Sequence, residues 1–148
     1  MNLEEIENMW ANDASLLANE ENIGRNSLRI SIYHSKYDNI LTREEYCLIE
    51  LKKKYNHVRM QKYNLIADGA SSKKSLEDDP ELPLHRMVKS KGEADIYLDG
   101  NSILQELQVK VEMCQTRIKK LERIITRINA LHWDYKNYIS MRQFENGN

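Results

Sequence analysis

Apolar residues recur at helical spacing along most of the chain. Over residues 3–17, Leu3, Ile6, Trp10 and Leu17 share one face with acidic residues opposite, the pattern of an amphipathic helix. Glu4, Glu5 and Glu7 fall in its first turns, where the helix dipole favours anions. That acidic face fits two roles: a docking element for a basic partner, or the solvated side of a packing helix. Residues 20–26, around Gly24, read as a break. Ser27 then caps a second helix carrying Ile30, Tyr33, Tyr37 and Ile40 or Leu41. Thr42-Arg43-Glu44-Glu45 has the spacing of a capping box, with Thr42 at the N-cap and Glu45 three residues on. This spacing predicts a third helix over 42–66, stopped by Asp68-Gly69.

Residues 68–92 differ in kind, because Ser, Asp, Lys, both prolines and two glycines cluster there. They read as a linker with a small apolar knot at Leu82, Leu84, Met87 and Val88. Ile96-Tyr97-Leu98 reads as a short extended piece before Asp99-Gly100. From Asn101 on the periodicity is the most regular in the chain. Leu104, Leu107, Val111, Cys114, Ile118, Leu121, Ile125, Ile128, His132, Tyr135 and Ile139 alternate spacings of 3 and 4, and only His132 is polar. That is a coiled-coil-like seam, widened on one flank by Ile103, Ile124 and Leu131. A widened seam suits assembly with several neighbours; the alternative is a bundle within one chain.

The expectation is therefore an all-α protein: N-terminal helices plus a long C-terminal helix with a heptad-like seam. Residues 1–67 form an N-terminal region, 68–95 a flexible linker and 96–148 a C-terminal oligomerisation region. The assembly positions are Leu104, Leu107, Val111, Ile118, Leu121, Ile125, Ile128, Tyr135 and Ile139.

Composition supports helices, with five Gly, two Pro and one Phe in 148 residues. The net charge of -1 hides a strong asymmetry. Residues 1–24 carry -6, residues 25–64 carry +5, and the remainder balances. Such a distribution points to a polyanionic partner for the basic stretch. Cys47 and Cys114 lie far apart within helical patterns and read as small apolar side chains in a reducing compartment. The start has no signal-peptide pattern, and no stretch approaches the roughly 18 apolar residues of a membrane span, so a soluble, intracellular protein is expected.

Candidate catalytic chemistry is sparse. His34, His57, His85 and His132 lie in separate segments without metal-ligand spacing, and no phosphate loop or nucleophile motif occurs. Glu77, Asp78, Asp79 and Glu81 form an acidic cluster beside Pro80, which reads as a solvated loop; a metal-dependent nuclease site is the competing reading. No cofactor, metal or enzymatic activity is expected.

The informative element is the third helix. With about 100° per residue, Leu48, Leu51, Tyr55, Val58 and Leu65 share a face. Lys52, Arg59 and Tyr63 fall on a neighbouring strip, and Lys53, Lys54, His57 and Lys62 widen the positive field. Cations along a phosphate backbone, with tyrosine rings (Tyr63, and Tyr55) as stacking surfaces, are how sequence-tolerant single-strand binders work. A lysine-rich helix is also often only a solvated face. Repetition around an oligomer would turn a modest patch into a continuous track.

Three segments together resemble the UvsY recombination mediators of T-even-type bacteriophages. They are the basic helix from Lys52 to Tyr63, the segment Ala94-Asp95-Ile96-Tyr97-Leu98-Asp99, and the ending Ile139-Ser140-Met141-Arg142-Gln143-Phe144-Glu145-Asn146-Gly147. The resemblance covers residues 25–148. It implies single-stranded DNA binding, contact with a UvsX-type recombinase and the phage single-strand-binding protein, and promotion of recombinase filament nucleation. It also implies a ring-like or open-barrel homo-oligomer of about six to eight subunits, closed as symmetric assemblies are, in the cytoplasm of the infected bacterial host. Arg59 matches the Arg of the family's Lys-x-Arg pair, whereas His57 stands where the family has Lys. Lys52-Lys53-Lys54 is the candidate compensation for the lysine that His57 replaces. The runner-up function is a structural or adaptor coiled coil with no nucleic-acid role.

Overall fold

The computed structural model describes residues 1–18, 23–67, 79–81 and 90–147. Among them every regular element is an α-helix: α1 (Leu3–Leu17), α2 (Ile23–Ala67), α3 (Lys91–Asp99) and α4 (Ser102–Glu145). None is long and apolar enough to cross a membrane.

Helix α1 starts where the apolar pattern starts. Asn2 accepts from the Glu5 backbone N–H and Glu5 returns a bond to the Asn2 N–H, each at 2.8 Å, a reciprocal capping box. Helix α2 departs from expectation, since the two helices predicted on either side of Thr42 are one. No Gly or Pro interrupts 25–67, and a formed helix propagates where nothing breaks it. Thr42 and Glu45 are exposed mid-helix residues, while the intervening Glu44 is buried and accepts a 2.9 Å hydrogen bond from Arg117.

The extended piece expected at 96–98 is also helical. Ser90 caps α3 by accepting from the Glu93 N–H at 3.3 Å, and this Ser-x-x-Glu spacing outweighs the local β-preference of Ile96-Tyr97. The expected knot at Leu82, Leu84, Met87 and Val88 lies outside the described residues. Asn101 caps α4 through the Leu104 N–H at 3.2 Å.

The chain forms two compact units, residues 1–46 with 115–148, and residues 47–114. The first has a core of Ile6, Leu17, Ile30, Tyr37, Leu121, Ile124 and Ile128, against which Trp10, Tyr33, Leu41 and Tyr135 pack. Each buried aliphatic side chain contributes about 1.5–3 kcal/mol. The buried Asp13 of this unit accepts from Lys36 at 2.6 Å and from the Tyr37 hydroxyl at 2.8 Å. Burial, and then Asp13 itself, push the Tyr37 hydroxyl pKa upward, so the phenol stays a donor. The second unit has a smaller core of Ile66, Ala94, Leu98 and Leu104, bordered by Tyr55, Val58, Tyr63 and Leu65.

The C-terminal seam is largely used within one chain. Leu104, Leu107, Val111, Cys114, Ile118, Leu121 and Ile128 are buried, Ile125 and Tyr135 half-buried, and His132 and Ile139 exposed. Toward the end the stripe shifts to the buried Ile124 and Ile128 and the half-buried Leu131, because a 3.6-residue turn drifts off a strict heptad by about 20° per repeat. Cys114 is buried as expected, but Cys47 is exposed.

Candidate nucleic-acid interface

The basic stretch occupies the part of α2 within the second unit. Its apolar face is as the spacing predicts: Leu48, Leu51, Tyr55, Val58 and Leu65 are all half-buried. The cations divide into two groups. Lys52, Lys53, Lys54 and His57 are exposed. Lys53 makes a 3.1 Å pair with Glu50, but both side chains are about 70% exposed, so the pair is screened and weak. Lys52 and Lys54 have no ion-pair partner among the described residues.

Arg59 and Lys62 face the other way. One guanidinium nitrogen of Arg59 donates to Asp99 at 3.0 Å and another to Asp95 at 3.1 Å, both on α3. Burial alone would lower the Arg59 pKa; the Asp99 hydrogen bond and the charges of Asp99 and Asp95 outweigh it and raise it. Lys62 is buried and donates to Asp79. Asp79 also accepts from the Asn101 side-chain amide at 2.9 Å and from the Glu81 N–H at 3.3 Å. Glu81 in turn accepts from the Ser102 N–H at 2.6 Å. Burial would raise the Asp79 pKa, but the bonds from Lys62 and Asn101 and the Lys62 charge hold it below the ordinary carboxylate value.

The position of Lys62 was readable from spacing. It lies seven residues after Tyr55 and four before Ile66, on the packing face. Its polar partner was not readable, because Asp79 sits in a segment without periodicity. The eight candidate DNA contacts thus separate into an exposed set of Lys52, Lys53, Lys54 and His57, two half-buried rings (Tyr55 and Tyr63), and two cations engaged within the unit (Arg59 and Lys62). Among the described residues no group of three or more His, Cys, Asp or Glu is placed to hold a metal ion. Glu77 and Asp78 lie outside them, and Asp79 and Glu81 are occupied by the bonds just described.

Residues 9–148 match the family model described as "Recombination, repair and ssDNA binding protein UvsY". The chain belongs to the UvsY family. The match takes in all of α2, α3 and α4, and so both groups of cations. UvsY proteins are a family of recombination, repair and single-stranded-DNA binding. No curated protein and no solved structure gives a match. The UvsY assignment fits the exposed lysine run on α2, a surface of the sign that suits a nucleic-acid backbone.

Proposed function

We propose that this UvsY-family chain is a non-catalytic recombination mediator. It binds single-stranded DNA and promotes loading of a UvsX-type recombinase onto strands coated by single-strand-binding protein, in the cytoplasm of an infected bacterial cell. The observation that carries the reading is the family match over residues 9–148. The exposed face of α2 supports it with a surface of the right sign.

Phosphates meet Lys52, Lys53 and Lys54, with His57 beside them, and Tyr55 and Tyr63 offer ring faces to bases. Arg59 joins by exchanging a partly exposed aspartate for a phosphate. Lys62 serves as the anchor of the Asp79 network and not as a DNA contact. Binding is sequence-tolerant and weakens steeply with salt through counterion release.

Self-assembly multiplies these contacts. Most of the seam being buried within one chain, a surface that remains for neighbouring subunits is the end of α4, where Trp133, Ile139, Met141 and Phe144 are exposed. Several copies of the lysine run on one assembly bind a strand far better than one copy does.

The test is recombinase loading. On strands coated with single-strand-binding protein, the lag before recombinase nucleotide hydrolysis is measured with and without the protein. Mediation predicts a shorter lag, lost in Lys52→Ala/Lys54→Ala. A structural adaptor predicts an unchanged lag and no oligonucleotide binding even at low salt.

A further inference from the structure

Within the second unit, α2 and α3 enclose an open cleft of about 370 Å³. Arg59, Met60 and Tyr63 form one wall, and Lys91, Asp95 and Leu98 the other. Ligand pockets run from roughly 300 to 1,000 Å³, so this one admits a single small group and not a folded segment. Its chemistry is mixed in a particular way. Tyr63 packs against the buried cluster that contains Leu98 and also borders the cleft, so its ring is held in place. Leu98 is fully buried beneath the cleft and offers no open surface, whereas Met60 is largely exposed and gives a soft, polarisable rim. Lys91 is exposed and has no ion-pair partner among the described residues. Arg59 and Asp95, joined at 3.1 Å, present a donor and an acceptor side by side.

We propose that this cleft seats one unstacked base of the bound strand. This inference rests on the single-strand-binding reading above. The base lies against Tyr63 and Met60, and the adjoining phosphate meets Lys91. The Watson–Crick edge of each unpaired base carries both donors and acceptors, so the Arg59–Asp95 pair can satisfy any of the four, and the seat does not select sequence. Helix α3 then belongs to the binding surface, although its own charge is negative and the basic run lies on α2. Backbone contacts hold the strand in position, and a seated base fixes its register on each subunit.

The test compares two oligonucleotides of equal length and phosphate number, oligo(dT) and a fully abasic analogue, bound to the full-length protein at one salt concentration. A stacked base predicts abasic binding weaker by at least about fivefold, the lower range of aromatic stacking. Tyr63→Ala reduces the preference, and Tyr63→Phe keeps it. Because Tyr63 also touches the core, Lys91→Ala provides a second variant on an exposed residue. It lowers the log–log salt slope by about 0.7, one single-strand phosphate. Equal affinity for the two oligonucleotides, or an unchanged slope in Lys91→Ala, overturns the base seat while leaving the lysine-run reading intact. Failure to bind either oligonucleotide overturns both.

Discussion

The two compact units are held together by different means. In residues 1–46 with 115–148, seven buried apolar side chains from three helices form the core, and the two buried carboxylates of the unit are each paired, Asp13 with Lys36 and Tyr37 and Glu44 with Arg117. In residues 47–114 the connected core has four buried apolar side chains, with Leu107, Val111 and Cys114 buried along α4 outside that cluster, and a chain of polar bonds runs from Lys62 through Asp79 to Asn101 and the start of α4. Apolar packing is diffuse and tolerant, whereas a buried ion pair is all-or-none, because removing one partner strands the other without water. The unit with the smaller apolar core is also the one carrying the candidate interface. Its cations have been sorted by that network into those held inside and those left for solvent.

The sharpest way to break the contrast is Asp79→Ala. It leaves Lys62 buried without its partner and should cost about 3–5 kcal/mol, read from the denaturant midpoint. Hydrogen exchange should loosen 47–114 first. Leu121→Ala should cost about 2–5 kcal/mol and loosen the other unit first. If both variants loosened the same residues, the division into two kinds of core would fail.

Asp13→Ala should cost less than Asp79→Ala, about 1–3 kcal/mol, because Lys36 reaches solvent where Lys62 does not. A matching acid dependence follows. The Asp79 pKa is depressed in the folded state, so the unfolded chain binds the proton more readily. Its stabilisation is therefore full above the ordinary carboxylate value of about 3.9 and is lost as pH falls through the lower folded value. Asp79→Asn should flatten the stability curve below pH ~4. A curve as steep as that of the unsubstituted protein would remove Asp79 from the account.

Lys62→Met should follow the stability pattern and not the binding pattern: less stable than the parent, yet still bound to oligonucleotide with an unchanged salt slope. Arg59→Ala should lower affinity less than Lys52→Ala or Lys54→Ala, since its charge is already shared by Asp95 and Asp99.

The difference between the units also decided what could be read beforehand. Helix α1, the apolar face of α2 and the seam to Ile128 follow from periodicity, because burial of apolar stripes is what made them. The Thr42 capping box misled because the same spacing occurs within an uninterrupted helix. The α3 helix was hidden behind Ile96-Tyr97-Leu98, although Ser90 and Glu93 carried its start signal. The lysine run was visible as charge. Its division was not, since pairing of Arg59 with Asp95 and Asp99, and of Lys62 with Asp79, joins residues up to 40 apart that no local pattern connects.

The central claim is that the exposed lysines of α2, and not the inward cations, hold the strand. The salt dependence of oligo(dT) affinity measures it directly. Each lysine removed from a single-strand phosphate should flatten the log–log slope by about 0.7, so Lys52→Ala/Lys54→Ala should flatten it by about 1.4 per strand-bound subunit, with stability unchanged within about 0.5 kcal/mol. An unaltered slope in that variant, with the flattening found in Lys62→Met, would contradict the account.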